Sequence, residues 1–365
     1  MLNALAIAAV FVSLTACEDK SYTISGTAEG FNNGDTLYVT NDLDTAAPID
    51  TIIINDGKFS YKGKADSVML CMIYAKSQPF LSVIYFAEPG KIALSLSQDP
   101  GKSTVSGTPS NDGWQELNDH TAKFYNQLME LTAPLYSDDI TEERRKEIAD
   151  SVSLINRQMM KDVVDICEKN INNELGYFLL VNYESEDEFF TVDKRRELIA
   201  KLPADKRNSP QIKEVEELLK SFEASKTGQA LPSFTLPDDK DNAISLSDEI
   251  AKNKLTILDF WASWCGPCRH EMPNMKELVA EFGDKGLAII GISLDDDKDA
   301  WLQAISELGL TWLQTNDTGS ANPSPQKYFH VNAIPFTVVV DSKGTILEKG
   351  LRGEQLKVFV ESHLQ

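Results

Sequence analysis

Two cysteines separated by two residues, in Cys265-Gly266-Pro267-Cys268, are the side chains of this sequence best suited by type and spacing to chemistry. Thiols this close can join as a disulfide and reopen, exchanging two electrons and two protons with a partner disulfide. Residues 255–261 form an apolar run of strand character, and a helical pattern follows over 267–282. A strand-to-helix junction there sets the first sulfur at a helix N-terminus, where unpaired N–H groups and the macrodipole stabilise a thiolate. Cys265 is therefore the expected nucleophile. Cys268, within the first turn, can attack a mixed disulfide formed on Cys265 and release the reduced substrate, which makes it the resolving thiol.

The elements needed to hold such a pair can be read on both sides of it. A second strand is expected at 287–294, a helix at about 298–308, strands at 336–341 and 345–349, and a last helix from about 354. Asp341-Ser342-Lys343-Gly344 reads as the turn between the last two strands. This βα alternation predicts a sheet flanked by helices. From about 21 to 107 the chain instead shows short alternating runs, such as 35–40, 58–62 and 91–96, parted by Asn55-Asp56-Gly57 and Glu88-Pro89-Gly90. That pattern predicts a small antiparallel β-sandwich. Between about 111 and 226 the period becomes helical, with apolar stripes such as Ile148, Val152, Ile155, Met159, Val163 and Ile166 that read as packing faces. Ser225 to Gly228 is the expected hinge into the last domain.

With 365 residues the chain has room for two or three cores. Its 35 basic and 56 acidic residues give a net charge of −21, which argues against nucleic acid and anionic membrane surfaces as partners. Residues 4–14 form a short apolar run that ends in Leu14-Thr15-Ala16-Cys17, and acidic residues follow at once. The run is short for a membrane span and fits the apolar part of an export signal. Its tetrapeptide resembles a bacterial lipoprotein lipobox, which implies cleavage before Cys17 and lipidation of that residue. Export would place the remaining cysteines where disulfides persist. Cys71 and Cys167 lie in apolar patterns and read as small buried hydrophobes, with a bridge between them as the alternative.

From Leu258-Asp259-Phe260-Trp261-Ala262-Ser263-Trp264-Cys265-Gly266-Pro267-Cys268, Pro273 and Ile334-Pro335-Phe336-Thr337, residues 229–365 resemble the thioredoxin superfamily, above all its extracytoplasmic TlpA/ResA-like branch. The resemblance implies an α/β thioredoxin-like C-terminal domain. It further implies that Ile334 and Pro335 form the cis-proline loop that pairs with a client chain, and that Asp259 relays the proton of the resolving cysteine. Trp264, Gly266 and Pro267 would face the client, while Trp261 and Trp264 would both shield and pack, with stacking against the client open to both. The Gly266-Pro267 pair matches reducing thioredoxins, whose potentials lie near about −270 mV. Ser25-Gly26-Thr27-Ala28-Glu29-Gly30 and Gly57-Lys58-Phe59-Ser60 resemble the β-rich domain of unknown function often found before envelope thioredoxin-like domains.

The expected organisation is therefore a signal and lipobox at 1–17, a β-rich domain at 18–108, a helical region at 109–227 and a thioredoxin-like domain at 228–365. The expected function is a lipid-anchored envelope thiol–disulfide oxidoreductase, most simply periplasmic, needing no cofactor or metal. It would reduce disulfides in protein clients and be re-reduced by an upstream envelope donor. Apocytochrome maturation and a general pool of misoxidised proteins both stay open as clients.

Other readings are weaker. A zinc site wants four ligands, and no second cysteine pair or well-spaced histidine pair joins His120, His270, His330 and His363. Covalent haem attachment wants a histidine where Arg269 stands. A peroxiredoxin would need Pro and Thr or Ser where Leu258 and Ala262 stand. A partner-binding module with a merely regulatory dithiol is the remaining alternative, suggested by the long upstream region. Pro100-Gly101-Lys102-Ser103 and Asp295-Asp296-Asp297 suggest phosphate and calcium loops, but both lack the required residues and read as surface turns.

Overall fold

A computed structural model describes residues 20–41, 43, 47–65, 69–75, 78–99, 101–137, 139–184 and 186–364. The expected signal, Cys17 and Pro100 lie outside the described residues. The chain divides into two compact units, Met1–Tyr183 with Asp187–Ser209, and Glu184–Glu186 with Pro210–Gln365.

The first unit opens with strands β1 (Ser21–Glu29), β2 (Thr36–Asn41), β3 (Asp50–Ile53), β4 (Lys58–Lys64), β5 (Leu70–Ala75), β6 (Gln78–Phe86), β7 (Gly90–Ser97) and β8 (Thr104–Ser106). They form two four-stranded sheets, ordered β4-β1-β7-β8 and β3-β2-β5-β6. Strict alternation along β1 sends Tyr22, Ile24 and Ala28 inward, where they meet Leu37, Ile73 and Tyr85 of the other sheet in one core. The sandwich is antiparallel except for β1 and β7, which pair in parallel.

Helices α1 (Pro109–Thr132), α2 (Glu142–Lys169), α3 (Glu174–Asn182), α4 (Val192–Lys201) and α5 (Ala204–Arg207) follow. Buried Asn111 ties the first of them to the sandwich: its amide donates to the Phe86 carbonyl at 2.9 Å, and its carbonyl accepts from Phe86 N–H at 2.8 Å. Cys71 and Cys167 are both buried, and no disulfide joins them.

The second unit contains α6 (Pro210–Ala224), β9 (Thr235–Pro237), β10 (Ala243–Ser245), α7 (Leu246–Ile250), β11 (Leu255–Trp261), α8 (Gly266–Phe282), β12 (Leu287–Ser293), α9 (Lys298–Leu308), β13 (Leu313–Asn316), α10 (Pro325–Tyr328), β14 (Phe336–Asp341), β15 (Ile346–Lys349) and α11 (Gly353–Leu364). Its main sheet runs β13-β12-β11-β14-β15, with β12 parallel and β14 antiparallel to β11. Every residue of β11 is buried, as a central strand covered on both faces requires. Leu255 and Ile257 face Met275, Leu278 and Phe282 of α8 and Leu356 and Val360 of α11. Leu258 and Phe260 face Phe234, Leu246 and Phe329 on the other side.

The expected hinge at Ser225–Gly228 is not where the two units part. Ile212, Val215, Leu219 and Phe222 of α6 are buried, and the Phe222 ring lies 4.3 Å from that of His330. Gly228 N–H donates to the Ile346 carbonyl at 2.7 Å, which adds the segment after α6 to the edge of the sheet. The helical region therefore divides after Ser209.

Trp301 of α9 is 1% exposed and belongs to the cluster containing both redox-motif cysteines. Trp301→Ala should lower the stability of this unit by about 3–5 kcal/mol. Denaturant unfolding of the oxidised chain would measure it, and a loss below about 1 kcal/mol would contradict the assigned packing.

Candidate active site

Two strand registers gather the site. Phe260 pairs with Phe336, so the chain entering β14 passes beside the chain leaving β11 for α8. The Ile334–Pro335 peptide is cis, and the Ile334 carbonyl oxygen lies 3.7 Å from Cys265 Sγ. Trp261 pairs in parallel with Ser293, which brings the end of β12 alongside the same junction.

Cys265 and Cys268 are joined as a disulfide. Cys265 is the N-cap of α8, and its Sγ accepts from Cys268 N–H at 3.2 Å. A negative charge developing on this sulfur meets a helix N-terminus and a specific donor, both of which stabilise thiolate over thiol. Cys268 is fully buried while Cys265 keeps 4% exposure, so the accessible edge of the pair belongs to Cys265. Pro267 occupies the first turn of the helix, where its missing N–H costs no bond. Pro273 lies inside α8 and deprives the Arg269 carbonyl of its regular helical donor.

Among the other expected client-facing residues, Trp264 is 69% exposed and Gly266 has open space where a Cβ would stand. Trp261 separates from Trp264 in role: it is fully buried and its indole N–H donates to Gln314 Oε1 at 3.1 Å.

Asp295, read from sequence as part of a surface turn, is buried instead. Its carboxylate accepts from Ser263 N–H at 2.8 Å, Ser263 Oγ at 2.6 Å and Ser293 Oγ at 2.7 Å. These bonds brace the loop just before Cys265, while Asp297 caps α9 by accepting from Asp299 and Ala300 N–H groups. Arg269 adds a bond to the Ser263 carbonyl at 3.4 Å and an ion pair with Glu307 at 3.0 Å. The available signal for Asp295 was its place at the C-terminal end of the strand parallel to β11, where α/β sheets gather functional groups.

Asp259 is 2% exposed, buried in the sheet rather than solvated at the strand end. Strand alternation puts it on the face of Ile257 and Trp261, toward α8. Its Oδ2 is buried and has no hydrogen-bond partner among the described residues. Burial, and then the nearby negative Glu271, push its carboxyl up from 3.8 to about 7. Glu271 itself accepts from Gly353 N–H at 2.7 Å, linking α8 to the start of α11. Among the described residues no group of three or more His, Cys, Asp or Glu side chains is arranged to hold a metal ion.

Residues 227–349 match the AhpC/TSA family, and residues 22–114 match a domain of unknown function, DUF4369. Over 143 residues the chain is 32% identical to the thiol-disulfide oxidoreductase ResA of Bacillus cereus, spanning 39% of this chain and 79% of that protein. It is 34% identical over 122 residues to the thioredoxin-like protein YneN of Bacillus subtilis, spanning 33% of this chain and 68% of that protein. The crystal structure of the thioredoxin domain of a thiol-disulfide oxidoreductase from Bacteroides vulgatus is 33% identical, with a TM-score of 0.36; the match covers 38% of this chain and 99% of that one.

Because the Asp259 carboxyl titrates at about 7 when folded and 3.8 as reference, the native state holds a proton across that interval that the unfolded chain gives up. The contribution of Asp259 to stability should therefore fall as pH rises through that window and level off above it. In Asp259→Asn that contribution should vanish, so that the variant gains up to about 4 kcal/mol relative to wild type between about pH 4 and about pH 8. Denaturant curves of the oxidised wild type and variant across this range check it; parallel pH profiles would contradict the assignment.

Proposed function

The chain belongs to the ResA-like thiol–disulfide oxidoreductases, and from that premise we propose that it reduces disulfides of protein clients in the cell envelope, with Cys265 as nucleophile and Cys268 as resolving thiol. The observation that carries this reading is the placement of Cys265 Sγ, which meets a helix N-terminus and Cys268 N–H on one side and the Ile334 carbonyl on the other.

In the reductive direction, the reduced Cys265 thiolate attacks one sulfur of the client disulfide. A Cys265–client mixed disulfide forms and the first client sulfur leaves as a thiolate. Cys268 then loses its proton and attacks Cys265 Sγ, forming the Cys265–Cys268 disulfide and releasing the second client thiolate. Two protons complete the client dithiol, and a dithiol donor upstream in the envelope returns two electrons to the protein.

Asp259, buried on the α8 side of β11 and titrating at about 7, is suited to take the Cys268 proton. Ile334 and Pro335 offer backbone to the client. Exposed Trp264 and the open surface at Gly266 and Pro267 leave room for it.

The lipobox-like ending at Cys17 supports attachment by lipid rather than by a spanning helix. Among the described residues, no helix is long and apolar enough to cross a membrane.

Insulin reduction supplies the direct test. Cys265→Ser should lower the rate by at least about 100-fold, because no other group replaces the attacking sulfur. Cys268→Ala should accumulate client mixed disulfides on Cys265, identifiable by mass spectrometry. Undiminished turnover in Cys265→Ser would sink the mechanism.

A further inference from the structure

A cavity of about 390 Å³ in the second unit shares its wall with the cis-proline segment. Val331, Asn332 and Ala333, the three residues before Ile334, line it together with Phe336, the first residue after Pro335. The same stretch that sets the Ile334 carbonyl beside Cys265 thus also shapes this cavity. Phe222, from α6, and Phe329 supply apolar wall, and Lys349 and Arg352 line it as well.

Cations outnumber anions around the cavity, with Lys226, Lys349 and Arg352 against Glu186 and Glu348. Glu186, its acidic member, lies 3.9 Å from Lys226. Lys349 and Arg352 have no hydrogen-bond or ion-pair partner for their charged ends among the described residues. Burial draws the Lys349 pKa down although Glu186 and Glu348 pull it up, so the charge keeps a desolvation cost that a further, directly bonded carboxylate would offset. His330 contributes no firm positive charge, because burial and the nearby Lys349 lower its pKa. Its Nε2 lies 2.9 Å from Ser221 Oγ, and its ring packs on Phe222, so it works as wall. Two cations without a direct ion pair in the wall of an aromatic-lined cavity are unexpected in a chain of net charge −21.

We infer that this cavity is a client-specificity subsite that receives an acidic side chain, Asp or Glu, located about two or three residues from the client cysteine. The spacing follows from extended chain: a strand paired along residues 331–334 advances about 3.3 Å per residue, so those client positions reach the cavity while the cysteine meets Cys265. Part of the wall belongs to this chain rather than to the matched family segment, since Glu186, Phe222 and Ser225 precede residue 227 and Arg352 follows residue 349. The inference rests on reading Cys265 as the group that engages protein clients.

Two peptide disulfides differing only in Glu or Lys two and three residues either side of the cysteine test it with the full chain. The kcat/KM ratio should favour the Glu peptide by roughly fivefold to tenfold, shrink with added salt, and fall to about one in the Lys349→Gln/Arg352→Gln double variant. Lys349→Arg should keep the preference. The wild-type comparison between peptides needs no variant to fold.

The same peptides carrying Ser for Cys report binding without chemistry, as NMR shifts at Asn332, Ala333 and Lys349 of the labelled oxidised protein. Equal turnover together with equal shifts for the two peptides overturns the subsite. Acid-selective shifts without turnover of either cysteine peptide support the subsite and overturn the reductase reading instead.

Discussion

The pairing of β11 with β14 is the constraint on which the chemistry of this chain depends. A sulfur at the end of one strand and a carbonyl at the start of another meet only because Phe260 lies opposite Phe336 in antiparallel register. Slipping that register by one residue would turn each side chain of β14 to the other face, and would carry Ile334 and Pro335 away from Cys265. Val338 and Val340 pack on one side of the sheet and Val339 on the other, so a slip would put these faces out of place. The apolar core thereby locks a geometry that the two cysteines by themselves do not encode.

Reach and concealment are balanced within the dithiol itself. The cluster of Trp261, Met272, Trp301 and Ala304 around the cysteines excludes water from Cys268 and leaves Cys265 a narrow opening. Low local dielectric strengthens the helix-terminal field at Cys265 Sγ and, by the same physics, disfavours charge on Asp259. One desert of water therefore has opposite effects on two groups: the sulfur at its edge has donors to meet its charge, whereas the carboxyl within has an oxygen without any. The Asp295 bonds to Ser263 hold the connecting loop steady between them.

Where structure depends on short-range pattern, it could be read from sequence. The apolar run of β11, the helical period of α8 and the alternation of β1 are all local, and the second unit places strands and helices close to where those patterns put them. Strand β13 escaped notice because it is polar by composition. Gln314 and Thr315 are nevertheless buried, Gln314 Oε1 accepting from Trp261 Nε1–H and Thr315 Oγ1 donating to the Gly291 carbonyl, so hydropathy carried no trace of it. The parallel pairing of β1 with β7 was hidden for another reason: alternation tells which face of a strand is buried and says nothing of its neighbour. Asp295 was obscured by its acidic companions, since only the partner strand's register brings it to Ser263. The roles proposed for Cys265 and Cys268 were read from their position at a strand-to-helix junction, a local pattern that the structure reproduces. The cavity beside Pro335 depends on α6 and on residues before it, which no local motif connects to the dithiol.

The attachment of α6 to the second unit bears on how this redox body is made separable. A fragment beginning at Gly228, the point suggested by composition, would strip the aromatic cover from His330 and leave Tyr328 without its bond to the Ala224 carbonyl. Such a fragment would carry the dithiol intact yet present a raw apolar flank next to its client-facing loop. Stickiness gained there would mimic broad substrate preference, so selectivity measured on the shortened body would describe the cut surface as much as the enzyme.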